Sequence, residues 1–168
     1  MAHLDIQDGP RIEHRPERPT LGIRLVTPFR GMLAVRDSLI DELAQWLDEH
    51  GVEPGGPFFL RLHAVDMAGD MDIEVGVLDT TAADSSADRV REGSAPAGDY
   101  ALLAYRGSSM QANKALLAWA PEQGRRFDAD PKTGAWAGRF EILRTDARIE
   151  RRKTRWIVEL AFLLEPGH

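Results

Sequence analysis

Displaced by 73 positions, one segment of this chain meets its own pattern: Leu43, Trp46, Glu49 and Gly51 recur as Leu116, Trp119, Glu122 and Gly124. A repeat constrains the fold, because what one copy forms the other must form too, and two copies can bury together the apolar faces that neither buries alone. In the first copy, Leu39, Ile40, Leu43, Trp46 and Leu47 have the spacing of one helical face, so Asp37 to His50 is predicted as a helix, with Gly51 placed for a left-handed cap. Period-two or apolar runs predict strands at Leu21 to Val26, Phe58 to Ala64 and Met71 to Leu78, bounded by Pro28, Glu53-Pro54-Gly55-Gly56 and Gly69-Asp70. In the second copy Tyr100 to Tyr105 reads as a strand, Gly138-Arg139-Phe140 resembles Gly56-Pro57-Phe58, and Trp156 to Leu164 takes the place of Met71 to Leu78, with Glu159 opposite Glu74. The expected fold is α+β: duplicated strand-helix-strand-strand units about a pseudo-twofold axis, forming an antiparallel sheet with helices and a central ligand cleft between the copies.

The boundaries follow from the same pattern. Residues 1–168 read as a single domain, with one half at about 11–79, a connection at about 80–98 and the other half at about 99–165. The connection is small and polar, with Ser85, Ser86, Gly93, Ser94 and Pro96, and has room for a short helix. A chain of 168 residues buries roughly 70% of its unfolded surface without staples. The lack of cysteine excludes disulfides, thiolate zinc sites and a cysteine nucleophile, and fits a reducing compartment. Met1 to Pro19 has no apolar core of a signal peptide, and no later run approaches a membrane span, so the expected location is cytoplasmic.

Net charge narrows the partners. A balance of −6 repels polyanions, so direct DNA binding is not expected. Arg144 to Arg155 opposes this, with Arg144, Arg148, Arg151, Arg152, Lys153 and Arg155 against only Asp146 and Glu150. Without a recognition-helix pattern the stretch reads as a solvated loop between strands rather than a phosphate site. No histidine has metal-ligand spacing, no glycine-rich phosphate loop is present, and Gly107-Ser108-Ser109 lacks the flanks of a nucleophile elbow. Neither a metal nor a cofactor is expected.

Several segments together resemble the GyrI-like effector-binding domain of multidrug-sensing transcription activators, which also occurs free-standing. They are Leu21-Gly22-Ile23-Arg24, Asp70 to Val77, Pro96 to Ala101, Tyr105-Arg106-Gly107-Ser108, Phe140 to Asp146 and Trp156 to Leu160, spanning nearly the whole chain. The chain departs from the family at Ser109 and Met110, where an aromatic residue is common, and at Ala147, where proline is common. The resemblance implies a cleft for amphipathic, cationic or aromatic small molecules, in a free-standing sensing or sequestering protein without a DNA-reading module. It also admits a cofactor-free hydrolase of strained, cyclopropanoid-type electrophilic toxins, and a gyrase-inhibitor-like module with a protein partner.

Glu141 is the candidate anchor. It alternates with Phe140 and Ile142 and resembles the family's cleft carboxylate, which in the hydrolase reading becomes the catalytic group. A carboxylate in an apolar pocket either rises in pKa or awaits a cationic partner. Phe29, Phe58, Tyr105, Trp136, Phe140 and Trp156 are candidate ligand walls, since ring faces attract cations and stack on flat molecules. Trp46 and Trp119 are assigned to the core. Glu74 and Glu159 are a second candidate acid pair, able to serve acid-base chemistry if they share a cavity and otherwise structural.

Overall fold

The computed structural model describes residues 3–82 and 89–167. Two helices lie on one eight-stranded antiparallel sheet in the order β1-β6-β8-β7-β3-β4-β2-β5. The strands are β1 (Leu4–Arg15), β2 (Arg18–Pro28), β3 (Phe58–Ala64), β4 (Asp70–Leu78), β5 (Val90–Ala95), β6 (Gly98–Gly107), β7 (Arg139–Leu143) and β8 (Val158–Leu163); the helices are α1 (Met32–Glu49) and α2 (Ser109–Glu122).

That order is a palindrome about the β7–β3 pair. Reading outward, β7, β8 and β6 match β3, β4 and β2, and β1 matches β5 as the outer strand on each side. The edges are exchanged: β1 precedes the first unit yet pairs with β6 of the second, whereas β5 follows the first unit and pairs with its β2. Thus the polar residues before Leu21 include a strand, and the expected connection from Thr80 to Gly98 contains another. Ser85 and Ser86 lie outside the described residues.

The helices end alike. After α1, Val52 N–H bonds to Leu47 O at 2.9 Å and Gly51 N–H to Asp48 O at 3.3 Å; after α2, Arg125 N–H bonds to Ala120 O at 3.2 Å and Gly124 N–H to Pro121 O at 2.9 Å. Both glycines take positive φ, +63° and +74°. These are two Schellman caps in matching positions, and the four bonds use carbonyls that the helix ends leave unpaired.

Alternation sorts the sheet into two faces. Leu21, Ile23, Leu60, Val75, Leu103, Leu143, Leu160 and Phe162 pack under the helices with Leu39, Leu43, Leu47 and Leu116. Phe59, Tyr100, Leu102, Phe140, Ile142, Ala161 and Leu163 form a second cluster on the opposite face. There a Cβ on Gly76 would fall 2.4 Å from the Phe59 ring, so that strand position admits only glycine. Trp46 is buried, while Trp119, its counterpart, is half-buried against the same core. Among the described residues no helix is long and apolar enough to cross a membrane.

Candidate functional site

α1 packs on β2 and β4, and α2 on β1 and β6, so the central β7–β3 pair lies between the helices. On its helix-side floor the register sets Leu60 opposite Glu141. Period two puts Arg139, Glu141 and Leu143 on this side and sends Phe140 and Ile142 to the other.

Glu141 is 9% exposed. Burial pushes its pKa up, opposed by the positive charges of Arg139 and then Arg36, and no hydrogen-bond donor among the described residues is aimed at it. Arg139 is itself enclosed: its guanidinium lies 4.5 Å from the Trp136 ring centroid and 4.6 Å from that of Phe162, and Nη2 donates to Asn113 Oδ1 of α2 at 3.0 Å. Arg36 enters from α1, with its guanidinium 5.3 Å from the Trp156 ring centroid. The Trp156 indole N–H donates to Glu150 O at 2.7 Å, which fixes the ring against the β7–β8 loop. Burial raises the Tyr105 pKa to about 12, with the Glu141 charge adding to the effect. A cavity of about 180 Å³ opens between α1 and the loop, lined by Asp37, Ile40, Asp41, Ala147, Arg151, Lys153 and Trp156.

The expected wall residues separate into groups. Tyr105, Phe58 and Trp156 share the helix-side core with the Glu141 strand face, and Arg148 covers the Phe58 ring at 5.2 Å. Trp136 stacks at the Arg139 end. Phe140 does not join them; its ring faces the opposite side, beneath the Arg61 guanidinium at 4.9 Å, because neighbours in a strand point apart. Phe29 sits 41% exposed in the turn between β2 and α1. Sequence reasoning passed over Arg36 and Arg139, although Arg36 has a signal: it precedes Ile40 by four and Leu39 by three, on the stripe that α1 turns inward.

Glu74 and Glu159 do not share a site. β3 and β7 lie between their strands, and each acid is closed in its own pair: Glu74 Oε1 lies 2.7 Å from His63 Nε2, whereas Glu159 pairs with Arg15 and, at 3.5 Å, with Arg144. The basic loop is largely paired as well, through Arg148 with Asp146, Arg152 with Glu150, Arg151 with Asp41 and Lys153 with Asp37. On the other face a cavity of about 20 Å³, bordered by Arg15, Tyr100 and Phe140, has room for about one water. No group of acids and histidines suited to a metal occurs among the described residues.

A family model described as the GyrI-like small molecule binding domain matches residues 9–161. The chain belongs to that family. No curated protein sequence matches it. Its fold is that of the EcmrR C-terminal domain, with TM-score 0.70 at 15% identity over 99% of both chains. It is found again in EcmrR bound to DNA, at TM-score 0.72 and 15% identity, where the match covers 99% of this chain and 58% of that one. SAV2435 bound to tetraphenylphosphonium matches with TM-score 0.58 and 12% identity over 92% of this chain and 93% of that one. A hydrolase from Listeria innocua matches with TM-score 0.55 and 13% identity over 93% and 92%. At these identities the likeness is one of fold.

Proposed function

We propose that this GyrI-like domain binds flat or globular aromatic cations in the cleft between α1 and α2, with Glu141 as the anchor and Tyr105, Phe58 and Trp156 as walls, in a sensing or sequestering role. The observation that carries the reading is a buried carboxylate to which none of the described residues donates a hydrogen bond, on the strand pair where the two halves meet. Such a group is costly to ionise alone, and a cation entering the cleft lowers that cost while its rings cover apolar surface. The lipophilic cation bound to SAV2435, a chain of similar fold, supports the ligand class.

The test uses tetraphenylphosphonium and the neutral triphenylphosphine oxide, read by calorimetry and by tryptophan fluorescence. Glu141→Gln keeps the shape and removes the charge. The cation should lose roughly 10- to 150-fold in affinity, from about 1.5 to 3 kcal/mol for a hydrogen bond to a charged group, and the neutral compound should lose less. Equal losses for both compounds, or none, would overturn Glu141 as the anchor. Turnover of a strained-ring electrophile that falls about 100-fold in the same variant would favour a hydrolase in its place.

A further inference from the structure

Drug-sized ligand sites enclose roughly 300 Å³ or more, whereas the cavity against Trp156 holds about 180 Å³. Beside it, against the lining residues Asp37 and Trp156, lies a side chain that already has the chemistry of the ligand class. Arg36 occupies an inward position of α1, on the stripe of Met32, Leu39, Ile40, Leu43 and Leu47. An arginine there, with its side chain only 11% exposed, is unusual unless its charge is met. It is met on three sides. The Trp156 ring lies under the guanidinium at 5.3 Å, Asp37 Oδ1 accepts from Nε at 3.0 Å and from Nη2 at 2.9 Å, and Glu141 is close enough to feel its charge.

We propose that Arg36 is a resident cation of this cleft, holding the place that a ligand's cationic group takes and acting as its gate. The inference rests on the ligand-binding reading above. A delocalised cation against an aromatic face and near a carboxylate is what an aromatic cation would present, so ligand and guanidinium compete for one site. Asp37 holds Arg36 in its present seat. It also pairs with Lys153 of the β7–β8 loop, and Arg151 reaches Asp41 at 3.7 Å, so the loop that carries Trp156 is tied to the same helix. The two halves are unequal here: the position of Arg36 in α1 corresponds in the 73-residue repeat to Ser109 in α2. Only the first half brings a charge to the cleft at this position.

Competition predicts a gain on removal. Arg36→Met keeps the aliphatic stem and the helix propensity, and tetraphenylphosphonium should bind it at least about 10-fold more tightly than wild type. Triphenylphosphine oxide should gain only from the space, and so by a smaller factor. Combined with Glu141→Gln, the extra gain for the cation should vanish, because the carboxylate that both cations seek is gone. Arg36→Lys keeps the charge without the planar stack and should fall between wild type and Arg36→Met. It also serves if Arg36→Met folds poorly.

The outcomes separate the two readings. Unchanged or weaker cation binding in both Arg36→Met and Arg36→Lys, with Glu141→Gln still lowering wild-type affinity, would overturn the gate and leave the ligand site standing. Absence of binding in wild type and in every variant would remove the ligand reading and the gate with it.

Discussion

Leu60 and Glu141 face each other across the centre of the sheet and are also each other's counterparts in the ladders, one position away from the Phe58–Phe140 match that the sequence suggests. Leu60 pairs onward with Val75 of β4 and Glu141 with Leu160 of β8, the same ladder position in each half, so the pseudo-twofold axis passes between them. One half supplies a hydrocarbon where the other supplies an acid. The symmetry of the fold thus places a single buried carboxylate on its own axis, on the face that the two helices flank.

Glu141 should leave a mark on stability against pH. Its folded pKa is raised by burial above the ordinary value of 4.5, so the folded chain holds a proton that the unfolded chain has lost. Stability therefore falls as pH rises from about 4.5 up to the raised value and stays flat beyond it. Glu141→Gln should remove that slope and unfold at higher denaturant than wild type on the alkaline side. Urea melts between pH 4.5 and 8 with parallel curves for the two proteins would contradict the assignment.

Gly51 and Gly124 should respond equally to alanine. Space is open around both, so the cost comes from the left-handed backbone, at φ of +63° and +74°, and is about 1–2 kcal/mol for each. A large difference between Gly51→Ala and Gly124→Ala in chemical unfolding would mean that the caps are not equivalent.

Both tyrosines of the chain are buried, and burial pushes Tyr100 and Tyr105 each to about 12. Absorbance of the folded protein at alkaline pH should show no phenolate step near the ordinary value of 10. Between 10 and 12 the unfolded chain loses protons that the folded chain keeps, so stability falls through that range. A tyrosine titrating near 10 while far-ultraviolet dichroism stays native would refute the burial of one of them.

DNA should bind weakly and only at low salt. The net charge is −6, and the basic loop spends much of its charge on Asp37, Asp41, Asp146 and Glu150. Submicromolar, sequence-specific retention of duplex in a gel shift at about 0.15 M salt would contradict this.

How much of this was legible follows from what a residue's neighbours in sequence can specify. The repeat of Leu43, Trp46 and Gly51 fixed two helices, their inward faces and their glycine caps, since helical period and left-handed φ are local properties. β3 was readable end to end because Phe58, Phe59, Leu60, Leu62 and Ala64 make it predominantly apolar and turn residues bound it. Polar β1 was not readable, because its ladder with β6 joins Arg11 to Leu102 and leaves most of its side chains exposed or half-buried, without an apolar period to detect. Alternation located Glu141 beside Phe140 and Ile142 but could not say which face the helices would cover. Packing decided that, putting Glu141 under the helices with Tyr105 and Trp156 and turning Phe140 away. It also brought Arg36 against Trp156, 120 positions later in the chain, because only the folded sheet sets the first turns of α1 beside the loop that leads into β8.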